Sequence, residues 1–484
     1  MATNQPHGHA QGAIGSVPAL IAALLAAIFA FQLNASMLSP ALATMEAELD
    51  TTSAQIGLSQ TAFFASAALF SLFLPRWGDL IGRRKIMIGM LLLTAVGCTV
   101  SALAPNVEVL GLGRVIQGIA GPIVPMALIM LRVQVPEPRR YAKLMALLTA
   151  INGGIAGVDA LAGGWLADTW GFRSVFWTMA VVALIAVVAV WFGTIESRGD
   201  EKHSMDWAGV AALVVVLGSL YFAFDQAGRL AEANWLIVVG LIVLGVTAFA
   251  VFWAIETRVE HPLVTTTYLK QRRTWALLST TVLTMTGVFA VMNGLVPNLA
   301  QDTAIGAGIS AAEVSWWTLT PYAIAGLVMG PFAGQLAARL GYKKVLQIGL
   351  VLTVIGVAAV GIMAADLNRV GLLLLSIAVG ITYAGICNIM LNGLGIVLSP
   401  ADNQGYLPGM NSGAFNLGAG LSFALLFAIN TGVSNLAGPV AGYRWGILGG
   451  AALLLLALAV STFIPRPDDD DLVRSETNLE ARNV

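Results

Sequence analysis

Two ionisable residues stand inside stretches that are otherwise apolar, and they are the ones whose types could do chemistry: Arg114 in Gly113-Arg-Val-Ile-Gln117-Gly118 and Asp159 in Gly157-Val-Asp159-Ala160. A charge near the centre of a membrane span costs about 2.5–3.5 kcal/mol on insertion scales, so a retained one is a candidate for ion or substrate work. Counted from the nearer end of its apolar run, Arg114 lies about seven residues in, Asp159 about six and Asn34 about eight, roughly 10 Å deep at 1.5 Å per residue. The three share one depth. The chemistry this implies is charge recognition and proton exchange rather than bond making. Asp159 is expected to be the acidic partner of Arg114 and to take up a proton as a substrate arrives at Arg114. A permanent ion pair that only fixes the packing of two helices is the alternative.

Around this pair, Gln117 lies one turn from Arg114, and Asn152 lies two turns ahead of Asp159 on nearly the same face. Beside Asp159, Gly153, Gly157, Ala160 and Gly164 form a small-residue stripe that reads first as a close helix-packing surface. The second half of the chain offers amides, hydroxyls and phenols instead of charges: Asn293, Tyr322, Tyr383, Asn388, Asn392, Ser412 and Asn416. Interhelical hydrogen bonding is the plain reading of each. Together they describe a cavity with one hydrogen-bonding wall and one positively charged wall, suited to a polar or weakly acidic organic substrate. Enzyme chemistry has no foothold. The four histidines (His7, His9, His203 and His261) fall outside the apolar runs, and the sequence has no paired-histidine ligand set, nucleophile–base spacing or phosphate loop. No metal or other cofactor is expected.

The elements that must position these residues follow from composition. The chain is 57% hydrophobic and 11% charged, where soluble domains carry about 25% charged residues. Its net charge of −1 gives no basic field for nucleic acid. Cys98 and Cys387 both lie in apolar runs and read as small hydrophobes. A crossing helix needs about 20 mainly apolar residues, and fourteen such runs fit, near 17–42, 55–74, 85–103, 107–131, 143–165, 174–195, 207–224, 235–255, 275–299, 313–338, 345–365, 370–398, 406–430 and 445–464. Lysine and arginine crowd alternate loops: Arg76, Arg83, Arg84 and Lys85; Arg132, Arg139, Arg140 and Lys143; Arg198 and Lys202; Arg258, Lys270, Arg272 and Arg273; Arg339, Lys343 and Lys344. The opposite side holds only Arg173, Arg229, Arg369 and Arg444. The basic side is expected to be cytoplasmic, with both termini there. Trp207, Trp235, Trp275, Trp316 and Trp317 near span ends read as interfacial anchors, and Asp468 to Asp471 as part of a solvated tail.

The halves echo each other. Pro75-Arg-Trp-Gly-Asp79-Leu-Ile-Gly82-Arg83-Arg84-Lys85 after the second span has a weaker copy in Gly334 to Lys344 after the tenth, and Gly171-Phe-Arg173 is echoed by Gly442-Tyr-Arg444. These residues, with Arg114-Val-Ile-Gln117-Gly118, resemble the signatures of the major facilitator superfamily, and the two extra spans make the chain similar to its fourteen-helix drug:proton antiporter branch. The resemblance implies an all-α polytopic major facilitator fold: an N-tail (1–16), a six-helix bundle (17–197), an inserted hairpin (198–258), a linker (259–274), a second six-helix bundle (275–465) and a C-tail (466–484). It also implies a monomeric carrier in the inner (plasma) membrane that works by alternating access. Its partners would be a small organic substrate, protons and the lipid bilayer, and Pro75, Asp79, Gly82, Arg83 and Arg84 would form a gating loop. Three departures stand out. Pro75 occupies a glycine position, Asn34 replaces the aspartate that precedes the proline of the first span, and Asp159-Ala160 stand where the antiporter signature has Gly-Pro. Export of drug-like or metabolite compounds is the expectation from the branch. Proton-driven import of a polar or anionic metabolite is the alternative that the departures favour.

Overall fold

The computed structural model describes residues 16–135, 137–199, 205–228, 233–259, 262–400 and 405–466, the side chains of 138–139, 142–143, 146, 149–156 and 228 excepted. Residues 1–15 and 467–484, Lys202, His203, Arg229, Glu260 and His261, and the side chain of Asn152 lie outside the described residues. Thirteen described helical segments are long and apolar enough to cross a membrane. In chain order with the helix Pro138–Trp170 they are α1 (Val17–Glu48), α2 (Ser53–Ile81), α3 (Arg83–Ala102), α4 (Val107–Gln134), α5 (Pro138–Trp170), α6 (Phe172–Gly193), α7 (Trp207–Ala227), α8 (Trp235–Glu256), α9 (Arg272–Gln301), α10 (Ala311–Leu340), α11 (Tyr342–Ile362), α12 (Arg369–Val397), α13 (Tyr406–Ala437) and α14 (Pro439–Ser461). In hydrocarbon every backbone group must be satisfied within its own segment, which is why such runs can only be helices.

Helices α1–α6 pack as one bundle and α9–α14 as a second, while α7 and α8 pair with each other and α7 leans on α2. The bundles meet along two seams, α2 against α13 and α5 against α10. Both are built on small residues. A Cβ on Gly57 would strike Phe427, one on Gly157 would meet the Ala323 methyl, and one on Gly164 the carbonyl of Ala311. Hydrogen bonds cross the same seams, from Thr61 Oγ1 to the Gly420 carbonyl (2.9 Å), from Ser315 Oγ to Ala160 (3.0 Å) and from Thr320 Oγ1 to Gly157 (2.8 Å). The small-residue stripe of α5 is therefore a packing surface between the bundles. All these contacts belong to the half of the molecule away from the basic loops. Farther toward the basic face on the α2–α13 seam the approach is looser: a Cβ on Gly413 would meet only Leu72, at 3.9 Å.

The repeat is written in the turns. Gly82 between α2 and α3 and Gly341 between α10 and α11 have φ of +127° and +84°, values that L side chains rarely adopt. Gly171 and Gly438, before α6 and α14, form the matching second pair at +78° and +89°. This corrects the echo drawn from sequence: the counterpart of Gly171 is Gly438, whereas Gly442 lies buried within α14, which starts at Pro439 rather than near residue 445. Repeat-related helices are also broken at corresponding places, in opposite senses. In the first bundle α1 and α4 tighten into 3-10 turns at Ser39–Ala41 and Gly118–Ala120. In the second, α9 and α12 loosen into π turns at Val291–Leu295 and Gly380–Cys387. Such breaks in a long helix mark strain or function.

Candidate functional site

Arg114 sits at the end of the regular part of α4, just before its 3-10 turn, and is fully buried. Its guanidinium donates from Nη1 to Gln117 Oε1 (2.6 Å) and from Nη2 to Gln60 Oε1 (2.9 Å) and the Asn34 carbonyl (3.2 Å). It also lies over the Phe63 ring, 4.2 Å from its centroid. Gln117 passes the network on, donating from Nε2 to Ser101 Oγ (2.8 Å). Three oxygen acceptors and an aromatic face thus solvate a cation that water cannot reach.

No carboxylate is among those partners, which corrects the expected ion pair. Asp159 is buried in α5, where Oδ2 accepts a hydrogen bond from Ser36 Oγ and Oδ1 has no partner. Ser36 is held in turn by Gln32, whose Nε2 donates to its hydroxyl (3.0 Å). The reason is the position of α1. Asn34 and Ser36 are two residues apart, so they face nearly opposite sides of the helix, and α1 stands between Arg114 and Asp159 with one contact to each. Equal depth does not imply contact. Asn34 is corrected likewise: its side chain is buried inside the first bundle, donating to the Ala30 carbonyl (2.8 Å) and accepting from Cys98 (3.4 Å). It is the Asn34 backbone that serves Arg114.

In the second bundle Tyr322 and Tyr383 stack, with rings 6.4 Å apart and 12° from parallel, and the Tyr383 hydroxyl donates to Met285 sulfur (2.7 Å). Asn293 turns back onto its own helix, donating to the Phe289 carbonyl (3.0 Å), and Asn416 is buried on α13. Asn388 and Asn392 share a face as their spacing implied, joined by an amide hydrogen bond of 3.0 Å, but Asn392 is exposed and the pair lies apart from the buried polar residues.

Sequence reasoning missed the groups that join the halves. Phe31 of α1, Phe63 and Phe64 of α2, Phe289 of α9, and Phe423 and Phe427 of α13 form a continuous chain of ring contacts, with Phe64 edge-on to Phe289 (5.1 Å) and stacked on Phe423 (6.3 Å). Because Arg114 lies on Phe63, the buried cation sits at one end of this chain. Phe31 and Phe289 are only partly buried, and the other four rings are buried. The run Gln60-Thr61-Ala62-Phe63-Phe64 held part of the signal, a glutamine at the depth of Arg114 followed by two aromatic residues. Ser36 carried none.

The loop between α2 and α3 is tied within its own bundle. Arg83 pairs with Asp79 (2.7 Å) and its amide donates to the Ser197 carbonyl (2.9 Å), while the Arg84 amide donates to Glu196 and its guanidinium lies over Trp191. A Cβ on Gly82 would strike the Glu196 carboxylate, so glycine there is needed for space as well as for φ. Pro75 lies within α2, one residue before Arg76.

Two bundles related by a repeat, a hairpin between them and a buried polar layer at mid-depth define a secondary carrier. The chain belongs to the Major Facilitator Superfamily, whose profile it matches over residues 24–303 and 277–482. Among its relatives is the uridine/deoxyuridine transporter of Lactococcus lactis subsp. cremoris (strain MG1363), 56% identical over 463 residues that cover 94% of this chain and 96% of that protein. The multidrug transporter protein MdtP of Bacillus subtilis (strain 168) is 27% identical over 334 residues, covering 68% of this chain and 60% of that one. A crystal structure of the nucleoside transporter NupG, in a mutant form, shares the fold with a TM-score of 0.61 at 14% identity, covering 92% of this chain and 100% of that one. The expected drug:proton antiporter is thus met at the level of the superfamily and not of the branch. Efflux and antiport find no support in the relative at 56% identity.

Proposed function

We propose that this protein carries a pyrimidine nucleoside such as uridine or deoxyuridine into the cell together with protons, its basic face toward the cytoplasm. The observation that carries the reading is the 56% identity, over nearly the whole of both chains, with a uridine/deoxyuridine transporter. The chemistry of the polar layer supports it. A nucleoside is uncharged, with a flat ring and several hydrogen-bonding edges; aromatic rings stand where the bundles meet, and amides and hydroxyls surround one buried cation inside the first bundle. The rings of Phe31 and Phe289 would take the pyrimidine face, an interaction worth about 1–3 kcal/mol per base in other proteins. Asp159, with one carboxyl oxygen unpartnered and the other on Ser36, is the proton site, and Arg114 holds α1, α2 and α4 in register around it.

Alternating access then requires the glycine-tight seams away from the basic face to part while the basic half closes. The test is uptake of labelled uridine by proteoliposomes under an imposed pH gradient, with unlabelled nucleosides and cationic dyes as competitors. Uridine moving with the protons, and competition by deoxyuridine but not by the dyes, is the expected result. Dye movement against the proton flow, without uridine transport, would restore the exporter reading that the more distant multidrug relatives suggest.

A further inference from the structure

At the basic-face end of the inserted hairpin lies a pair of acids that the transport path does not use. Asp206 precedes α7 and Glu256 closes α8, and both are buried, at 7% and 2% exposure. Each spends one oxygen on the backbone: Asp206 Oδ1 accepts from the Gly209 amide (2.9 Å), and Glu256 Oε2 from the Val264 amide (2.8 Å). The other two oxygens, Asp206 Oδ2 and Glu256 Oε1, have no hydrogen-bond partner. They occupy the same small space, because a Cβ added to Gly209 would strike both. The charged and titratable groups facing the pair are Arg76 of α2, which donates to the Pro262 carbonyl (2.9 Å), and Tyr406 at the start of α13, which donates to the Thr265 carbonyl (3.2 Å) and packs on Tyr268.

Two carboxylates cannot both keep bare, buried oxygens in one small space, since like charges in one site force one of them to hold a proton. We propose that Glu256 holds a proton on its orphaned oxygen and donates it to the orphaned oxygen of Asp206, and that this proton keeps the linker at Pro262–Val264 seated beneath the hairpin. The seat is where the parts of the molecule meet. Val264 packs with Ala212, Leu213 and Phe252 of the hairpin, and Leu69 and Leu72 of α2 and Met410 of α13 close the same cluster. With the proton in place, Glu256 can keep Val264, and the linker ties the hairpin to the basic-face ends of both bundles. Without it, the two carboxylates repel, Glu256 turns toward water, and Val264 loses its acceptor. Alkaline conditions at this face therefore loosen the tie and acid conditions tighten it. The pair needs no substrate for this, and only its assignment to cytoplasmic pH rests on the orientation given above.

The test is hydrogen exchange of the linker peptide containing Val264, in full-length protein in lipid nanodiscs, corrected for intrinsic exchange. Between about pH 6 and about pH 9 the wild type should lose protection by at least ~10-fold as the Glu256 proton leaves. Glu256→Gln places an amide that donates permanently to Asp206 while its oxygen keeps Val264, so protection should stay high across the range. Asp206→Asn should do the same from the other side, and Gly209→Ala should lower protection throughout by forcing the pair apart. A wild type with flat protection, or either amide variant following the wild-type pH curve, would overturn the proposal. So would protection that follows sodium or magnesium concentration instead of pH, which would put a cation in the gap. None of these readouts depends on nucleoside transport, so a failed uridine assay leaves them intact.

Discussion

Well inside its spans the first bundle buries a cation and a carboxyl group, Arg114 and Asp159, whereas the second buries amides, hydroxyls and phenols. Two structurally matching bundles thus differ in the polar groups they bury. The half that holds charge is cross-braced: Arg114 alone ties α1, α2 and α4 together through oxygens and a ring. In the uncharged half the braces are neutral: Thr281 Oγ1 donates to Asn411 Oδ1 (2.7 Å) and Asn411 Nδ2 to the Leu391 carbonyl (3.3 Å), joining α9, α12 and α13, while Asn293 donates to its own helix. Leaving a desolvated charge without acceptors costs more than leaving a neutral amide without them. The proposed function assigns coupling to the half braced by a charge and substrate fit to the half braced by neutral groups.

Substitutions can break that division. The largest effect is expected from Arg114→Gln, which orphans the acceptors on Gln60 and Asn34. Thermal unfolding should show a loss of roughly 2–4 kcal/mol, and uptake should fall below about a hundredth of wild type, equivalent to ~2.7 kcal/mol. Asp159→Asn comes next. Concentrative uptake under a pH gradient should fall to an accumulation ratio of about one, while exchange of labelled for unlabelled substrate persists; a mutant that still accumulates in a pH-dependent way would remove the coupling role from this residue. In the second half, Phe289→Ala should raise KM about 5–150-fold with little change in coupling, as expected from losing ~1–3 kcal/mol of stacking. Smallest of all, Tyr383→Phe removes only the hydroxyl-to-sulfur contact and should change KM by less than about 5-fold. If Phe289→Ala uncoupled transport or Asp159→Asn altered only KM, the division between the halves would be wrong.

Much of this arrangement was legible in the sequence because lipid allows so few backbone solutions. The apolar runs, the alternation of basic loops and the depth of Arg114, Asp159 and Asn34 all follow from one-dimensional spacing. What spacing withholds is azimuth, the side of a helix that meets a given neighbour. Arg114 and Asp159 looked like partners because they share a level, yet α1 separates them, and Asn34 and Ser36, two residues apart, serve different sides. The Phe31–Phe427 chain was invisible for a related reason: each phenylalanine is unremarked in an apolar helix, and only the meeting of α1, α2, α9 and α13 makes them a unit. Gly438 was missed because the copy of the Gly171 turn has drifted in sequence while keeping its sign of φ.

The opposite winding of the broken helices bears on how such a machine ages and is remade. An overwound turn drops a residue from its helical cycle and an underwound one adds a residue, so the two bundles no longer share a common reading frame along α1 and α9, or along α4 and α12. A segment exchanged between the halves would enter out of phase, with every side chain beyond the break rotated away from its neighbours.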